Sequence, residues 1–178
     1  MASTPNAGPV NLGFLMVLQE GNSYLGGYLV TNQWGRPLGF HLSSAVQPNK
    51  VQQVLYAATL VPYVCADLIG KALVDKAGTP VQLVVTDREA VLDLRHKIEV
   101  PVVYLAPPDD ARANGPGALQ GPGQRGLLLC HPRFPNDWAT VKALLEQLDA
   151  SFDVAEPFGR IREAVSEARK MGVTSRAA

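Results

Sequence analysis

The sequence predicts a single α/β domain built on one mixed sheet, and three observations support this fold class. Near the N-terminus, three apolar segments are separated by tight-turn residues. Residues 80–105 contain an apolar strand, a helix start and a second apolar strand. The length of 178 residues suits one hydrophobic core. We therefore expect an N-terminal antiparallel meander and a parallel strand–helix–strand unit in one sheet, with helices packed on it.

The N-terminal segments have the composition of strands. Residues 14–18 and 24–31 are largely apolar, and residues 37–43 alternate apolar with small or polar side chains. Turn-forming residues occupy positions 21–23 and 32–35 between them. Because short turns join antiparallel neighbours, these segments predict the meander.

Two helices are expected after the meander, with a break before Pro62, because proline is poorly tolerated in a helix interior. The first helix has one apolar face, formed by Val51, Val54, Leu55 and Ala58. The second, from Pro62 to about Lys76, is apolar around most of its circumference. Such a helix is normally covered by the rest of the fold or by a partner.

The strand–helix–strand unit gives the clearest pattern. Residues 81–85 form an almost continuous apolar run, as expected for a strand that is buried on both faces. Thr86 and Glu89 have the spacing of a capping box, which predicts that a helix begins there. Residues 100–105 form the next strand, and a short helical crossover places two strands in parallel.

The remaining segments set the domain organisation. Residues 126–130 predict a strand, followed by two helices that begin near Asn136 and Pro157. We expect a flexible leader at residues 1–12, one domain at 13–172 and a frayed tail at 173–178. Within that domain the Gly/Pro-rich residues 107–125 predict a flexible loop, either a passive insertion or a functional lid.

Composition argues against several classes of function. Sixteen basic and sixteen acidic residues cancel, whereas a dedicated nucleic-acid binder usually carries a basic excess, so no nucleic-acid partner is expected. Cys65 and Cys130 form no C-x-x-C pair, and the three histidines lack metal-ligand spacing along the chain, so no metal and no cofactor are expected. No signal peptide and no long apolar run are evident, which predicts a soluble cytoplasmic protein with no membrane contact.

Two pairs of residues are candidates for chemistry. Cys130 and His131 could be catalytic, since a thiol near an imidazole can act as a nucleophile, but neighbours on a strand point to opposite faces, and a buried structural cysteine is the simpler interpretation. Asp87 and Arg88 could bind a ligand, because they follow a parallel strand at its carboxyl end. The alternative is that these residues only begin a helix, where acidic side chains are favourable.

Three aromatic residues are candidates for binding a partner. Trp34 lies in a predicted hairpin turn, and Tyr28 and Phe40 could extend its surface. The alternative is that Trp34 folds back on its own sheet.

No motif assigns the chain to a family. The preferred functional hypothesis is a non-enzymatic interaction or adaptor module that binds a protein partner or forms a homo-oligomer. The alternative is a small-ligand-binding or enzymatic α/β domain with its site at residues 86–89 and at Cys130 and His131.

Overall fold

The computed structural model describes residues 8–115, 118–120 and 126–172. The strands are β1 (Asn11–Glu20), β2 (Ser23–Asn32), β3 (Pro37–Leu42), β4 (Leu83–Thr86), β5 (Val102–Ala106), β6 (Ala118–Gln120) and β7 (Leu127–Cys130). The helices are α1 (Lys50–Tyr56), α2 (Leu60–Pro62), a π-helix (Tyr63–Gly70), α3 (Lys71–Ala77), α4 (Asp137–Glu146) and α5 (Glu156–Lys170). Two 3₁₀ helices lie at Ala57–Thr59 and Glu89–His96.

All seven strands belong to one sheet with the order β3-β2-β1-β4-β5-β7-β6. β1, β2 and β3 form the antiparallel meander, while β4 and β5 run parallel to β1. β7 returns antiparallel to β5, and β6 pairs antiparallel with β7. The predicted fold class is confirmed: an antiparallel meander and a parallel strand–helix–strand unit share one mixed sheet with helices packed on it.

Each face of the sheet is covered by helices. On one face α4 and α5 pack through Val141, Phe158 and Ile161 against Phe14 of β1. On the other, the π-helix, α3 and the Glu89–His96 helix pack against β1, β2, β4 and β5. β1 and β4 lie between these two cores, and for this reason their sequences are apolar on both sides.

Two adjacent glycines of β2 allow the close approach of these layers. A methyl group at Gly26 would collide with the Ile69 side chain of the π-helix. On the opposite face, a methyl group at Gly27 would lie 2.7 Å from Cγ2 of Ile161 on α5. Because successive strand residues face opposite sides, the pair Gly26–Gly27 admits a helix on each face.

The helical segment Lys50–Ala77 differs from the prediction. It runs from α1 to α3 and passes through Pro62 as a series of 3₁₀, α and π turns, with no separating loop. These irregular turns accommodate the missing proline N–H. Ala57, at the end of α1, has a φ of 45°, which is unfavourable for a residue with a Cβ atom.

The apolar face that the sequence gives to the first helix is exposed in the structure. Val51, Val54 and Leu55 are 65%, 73% and 75% exposed. α1 is held at its start, where Asn49 caps it and Asn22 donates a hydrogen bond to the Pro48 carbonyl, and at its end, where the Tyr56 ring stacks on that of Tyr63. Burial begins at Val64, where the helix reaches the sheet.

The helix after β4 also begins later than its sequence indicates. The Thr86 hydroxyl accepts a hydrogen bond from the Arg88 N–H at 3.2 Å, and the expected capping box with Glu89 does not form. Arg88 is extended, and the 3₁₀ helix begins at Glu89. The Thr86 hydroxyl therefore stabilises the turn that leaves the strand.

The structure adds detail to the predicted segments without testing the domain division, which stays a prediction. β1 begins at Asn11, inside the expected leader, and β6 lies inside the expected loop. Residues 1–7, 116–117, 121–125 and 173–178 lie outside the described residues.

One helical segment, Lys50–Ala77, is long and apolar enough to cross a membrane by length and composition. A third of its most apolar stretch is buried inside the fold, where Val64, Cys65 and Ile69 pack against the sheet. Core helices commonly have this composition, and a sheet covered on both faces is typical of soluble domains. The cytoplasmic location stays a prediction.

Candidate functional site

The parallel strands define two distinct edges of the sheet. β1, β4 and β5 all end at one edge, which we call the carboxyl edge. β2 and β7 run in the opposite direction, so the β2–β3 turn and the residue after Cys130 lie at the other edge, the amino edge. In open α/β sheets ligands bind outside the carboxyl ends of the strands.

Asp87 is the first residue after β4 at the carboxyl edge. Its side chain is 29% exposed, and one carboxylate oxygen lies 4.0 Å from a guanidinium nitrogen of Arg162 on α5. Burial raises the pKa of Asp87, while Arg162, its own backbone N–H and Arg88 act in the opposite direction with smaller effect. A carboxyl group with a raised pKa at a strand end is a candidate for acid–base or metal chemistry.

Asp87 lines a cleft of about 550 Å³ between the ends of β4 and β5 and the start of α5. The other lining residues are mostly apolar: Tyr104, Leu105, Ala106, Pro107, Pro108, Gly126 and Ala155. Few polar groups in a mostly apolar concave surface are typical of ligand sites. The position and volume of the cleft make it the candidate site.

Arg88 lies at the same strand end but points toward the opposite face of the sheet. It donates hydrogen bonds to the Gln19 side chain at 2.6 Å and the Val17 carbonyl at 3.4 Å. Its guanidinium lies 5.5 Å from the centre of the Tyr24 ring. The two ligand candidates from the sequence are therefore divided: Asp87 faces the cleft, and Arg88 extends along the end of β1.

Further charges surround the mouth of the cleft. Arg112 bridges two carboxylates, at 2.6 Å from Glu89 and 2.8 Å from Asp110. Burial, followed by the charges of Glu89 and Asp110, raises the pKa of Tyr104, so its hydroxyl stays protonated at neutral pH. Neither Glu89 nor Asp110 lines the cleft, and among the described residues Asp87 is the only carboxylate that does.

The second candidate pair lies elsewhere. Cys130 and His131 are at the amino edge, because β7 runs antiparallel to β5 and Cys130 pairs with Val103 at its start. The Cys130 side chain packs in the core beneath α4 and α5, whereas the His131 ring contacts His96 and Phe134. Burial raises the pKa of the Cys130 thiol to about 11. This thiol is not activated, and it is not close to Asp87.

The three aromatic candidates do not form one surface. Trp34 is 71% exposed at the β2–β3 turn and lines a separate cleft of about 410 Å³ at the amino edge. Phe40 is 36% exposed, but Tyr28 is buried, with 1% exposure. Tyr28 could not contact a partner because its ring fills the space beside Gly13, which has no side chain.

Sequence reasoning missed two residues of the carboxyl-edge site. Tyr104 lies in the neighbouring parallel strand β5 and pairs with Thr86, the last residue of β4, so the rule that predicted Asp87 also applies there. Arg162 is one of several charged residues on the polar face of α5, and no signal in the sequence distinguishes it.

The fold and the cleft together define an α/β domain with a mixed seven-stranded sheet and a candidate ligand site at its carboxyl edge. No model of a known protein family matches the chain, and no curated protein matches it by sequence. Solved structures do match its fold. Human endonuclease V is 14% identical, with 96% of this chain and 87% of that chain covered and a TM-score of 0.53. Endonuclease V of Ciona intestinalis, in complex with a 23mer DNA containing an inosine, is 10% identical, with 91% and 88% covered and a TM-score of 0.45.

These comparisons correct the functional hypothesis. The chain shares its fold over nearly its whole length with human endonuclease V, which is an enzyme, so the preferred interpretation as a non-enzymatic protein–protein interaction module is wrong. The expectation of no nucleic-acid partner is contradicted by the same similarity. The net charge did not indicate nucleic-acid binding, because a balanced total does not describe how charges are distributed along one edge of the sheet. The alternative, an enzymatic or ligand-binding α/β domain, agrees better with the fold.

Proposed function

We propose that this chain binds nucleic acid along the cleft at the carboxyl edge and acts on the bound strand as an enzyme. The observation that carries the proposal is Asp87, a partly buried carboxylate lining the cleft at the end of β4. The shared fold with human endonuclease V supports nucleic acid as the ligand class.

Two arginines at this edge supply charge for a phosphate backbone. Arg162 is 63% exposed, and its contact with Asp87 is long at 4.0 Å, so it can reach a bound phosphate. Arg88 adds a second positive charge at the same edge, although its guanidinium lies on the opposite face from the cleft and is held by Gln19 and the Val17 carbonyl. Arginine binds phosphate through two parallel hydrogen bonds, and such contacts position a strand without reading its sequence.

Asp87 is the residue suited to the chemical step. Hydrolysis of a phosphodiester requires an oriented water molecule and stabilisation of charge on the phosphate oxygens. Proteins usually bind Mg²⁺ through one or two carboxylates together with substrate phosphates, and Asp87 fits that pattern. Since Asp87 is the only carboxylate lining the described part of the cleft, we expect it to hold one ion and not a pair.

Binding is tested with fluorescein-labelled DNA and RNA oligonucleotides, single- and double-stranded, by anisotropy at 50 and 200 mM salt. We expect Arg162→Ala to raise the dissociation constant several-fold. The slope of log binding constant against log salt concentration should fall in magnitude by about one, as for one lost phosphate contact. Arg133→Ala is the matched control, because Arg133 is an exposed arginine at the amino edge. Absence of binding at 50 mM salt, or equal effects of the two substitutions, would refute the proposed interface.

The enzymatic part has a separate test. The labelled strands are incubated with the protein in Mg²⁺, Mn²⁺ or EDTA and separated on a denaturing gel. Asp87→Asn should abolish cleavage and leave binding equal or tighter, because it removes a negative charge near the phosphates. Binding without cleavage by the wild-type protein would support the interface and refute the enzymatic role of Asp87.

A further inference from the structure

A second group of chemistry-bearing side chains lies at the amino edge, where the proposed nucleic-acid site does not use it. Asp93, His96 and His131 present donor atoms that all lie within 4.8 Å of one another. Nε2 of His131 is 3.3 Å from a carboxylate oxygen of Asp93. The rings of His96 and His131 are nearly perpendicular, with centroids 4.6 Å apart.

The fold brings these three residues together in two steps. Asp93 and His96 are three residues apart in the Glu89–His96 helix, and a 3₁₀ helix places residues i and i+3 directly above one another. His131 follows β7, whose antiparallel pairing with β5 carries it to the amino edge, where that helix ends. The convergence therefore depends on the 3₁₀ geometry and on strand pairing.

We propose that Asp93, His96 and His131 form a binding site for a divalent first-row transition-metal ion such as Zn²⁺. Two imidazoles and one carboxylate are suited to such ions, whereas Mg²⁺ and Ca²⁺ prefer oxygen donors alone. Ligand atoms around a tetrahedral Zn²⁺ are about 3.3 Å apart, which the Asp93–His131 pair already matches. His96 is exposed, so its ring can rotate to complete the set.

The surroundings leave the ion partly open to solvent. His131 is buried, with 7% exposure, and the ring of Phe134 packs against both imidazoles. Asp93 is half-exposed on the opposite side. Three protein ligands and a solvent-facing side leave at least one position for water or another ligand.

One hydrogen bond of His131 must break before this residue can bind a metal ion, and this lowers the affinity for the ion. The Arg133 N–H donates to Nδ1 of His131 at 3.1 Å, so the neutral ring carries its proton on Nε2, facing Asp93. Ligation through Nε2 transfers that proton to Nδ1 and breaks the bond from Arg133. Loss of one neutral hydrogen bond lowers affinity by up to about tenfold.

The test is calorimetric titration of the full chain with Zn²⁺, without nucleic acid, so its result is independent of the proposed function. We expect one ion per chain, and at least tenfold weaker binding for His96→Ala and for Asp93→Asn. His41→Ala is the matched control, since His41 lies on β3, and it should bind like the wild type. These variants are preferred to substitution of His131, which is buried and could unfold the chain.

Two further readouts make the outcome decisive. The melting temperatures of the metal-free variants should equal that of the wild type, and only the wild type and His41→Ala should gain stability from Zn²⁺. With Co²⁺ in place of Zn²⁺, the spectrum should lack thiolate charge-transfer bands, which excludes Cys65 and Cys130 as the ligands. No bound ion, or binding by His96→Ala as tight as by His41→Ala, would overturn the proposal.

Discussion

Arg162 of α5 faces Asp87 at the end of β4, with a guanidinium nitrogen 4.0 Å from a carboxylate oxygen. This pair connects the C-terminal helix to the carboxyl edge of the sheet. Burial nevertheless raises the pKa of Asp87, so the arginine offsets only part of the unfavourable desolvation. A carboxylate kept in such an environment is unfavourable for stability and is commonly associated with function.

The first prediction concerns the stability of Asp87→Asn as a function of pH. Since the folded pKa of Asp87 is raised, the folded state holds this proton more tightly than the unfolded state does. Protonated Asp87 therefore stabilises the fold at low pH. This contribution is lost as the pH rises from about 4, the pKa of an aspartate in the unfolded chain, through the higher pKa of the folded state. Asp87→Asn should therefore be more stable than the wild type at pH 7, and the difference should shrink towards pH 4 in urea unfolding.

Asp149→Asn is the control, because its expected effect on stability at pH 7 is the opposite of that of Asp87→Asn. Hydrogen bonds from the Ser151 hydroxyl and N–H lower the pKa of Asp149, so this group stabilises the fold above the unfolded pKa. Asp149→Asn should be less stable than the wild type at pH 7, and its deficit should shrink as pH falls. If Asp87→Asn is no more stable than the wild type at pH 7, the raised pKa of Asp87 is refuted.

A second prediction tests the close approach of the helix to β2. Gly26→Ala should lower the free energy of unfolding by about 1–3 kcal/mol, because the added methyl collides with Ile69 in a packed core. Gly159→Ala is matched to it: Gly159 lies inside α5 with open space around its Cα, so alanine should stabilise by about 0.5–1 kcal/mol. Denaturant midpoints that do not separate in these directions would contradict the packing described.

Tyr28 provides a third prediction. Its hydroxyl is buried and has no hydrogen-bond partner among the described residues, and burial raises its pKa. An unsatisfied buried polar group is unfavourable by about 1–3 kcal/mol. Tyr28→Phe keeps the ring and removes the hydroxyl, so it should raise the unfolding free energy by about 1 kcal/mol or more. A loss of stability would mean that the hydroxyl is satisfied.

The fourth prediction concerns Cys130. With a pKa of about 11, about one Cys130 thiol in ten thousand is ionised at pH 7. The rate at which iodoacetamide alkylates Cys130 should be far lower than for a solvent-exposed cysteine, and this rate should rise steeply above pH 9. Cys130→Ser should leave nucleic-acid binding unchanged. Fast alkylation at pH 7 would restore this residue as a candidate nucleophile.

The sequence predicted the sheet well because the strands carry local signals. The apolar run before Thr86 and the tight turns of the meander each specify their own structure, and together they define the mixed sheet. The position of Asp87 followed from the same signals, since a parallel strand determines where its end lies.

Other features depend on contacts that sequence patterns do not reveal. The spacing of apolar residues in α1 is typical of a helix that packs against a core, yet no described element of the chain covers Val51, Val54 or Leu55. Arg162 reaches Asp87 only because α5 packs on β1 and β2. The convergence of Asp93, His96 and His131 arises from a 3₁₀ turn and a strand register, neither of which has a spacing motif.

Nucleic acid bound at the carboxyl edge should change the environment of the backbone amides there, which amide chemical-shift mapping of the ¹⁵N-labelled chain measures residue by residue. An unlabelled oligonucleotide is titrated into the protein at low salt. We expect the largest shifts at the amides of Asp87, Arg88, Tyr104, Ala155 and Arg162, and no change at those of Trp34 and His131, which lie at the amino edge. Shifts concentrated at the amino edge, or no shifts at all, would contradict binding at the carboxyl edge.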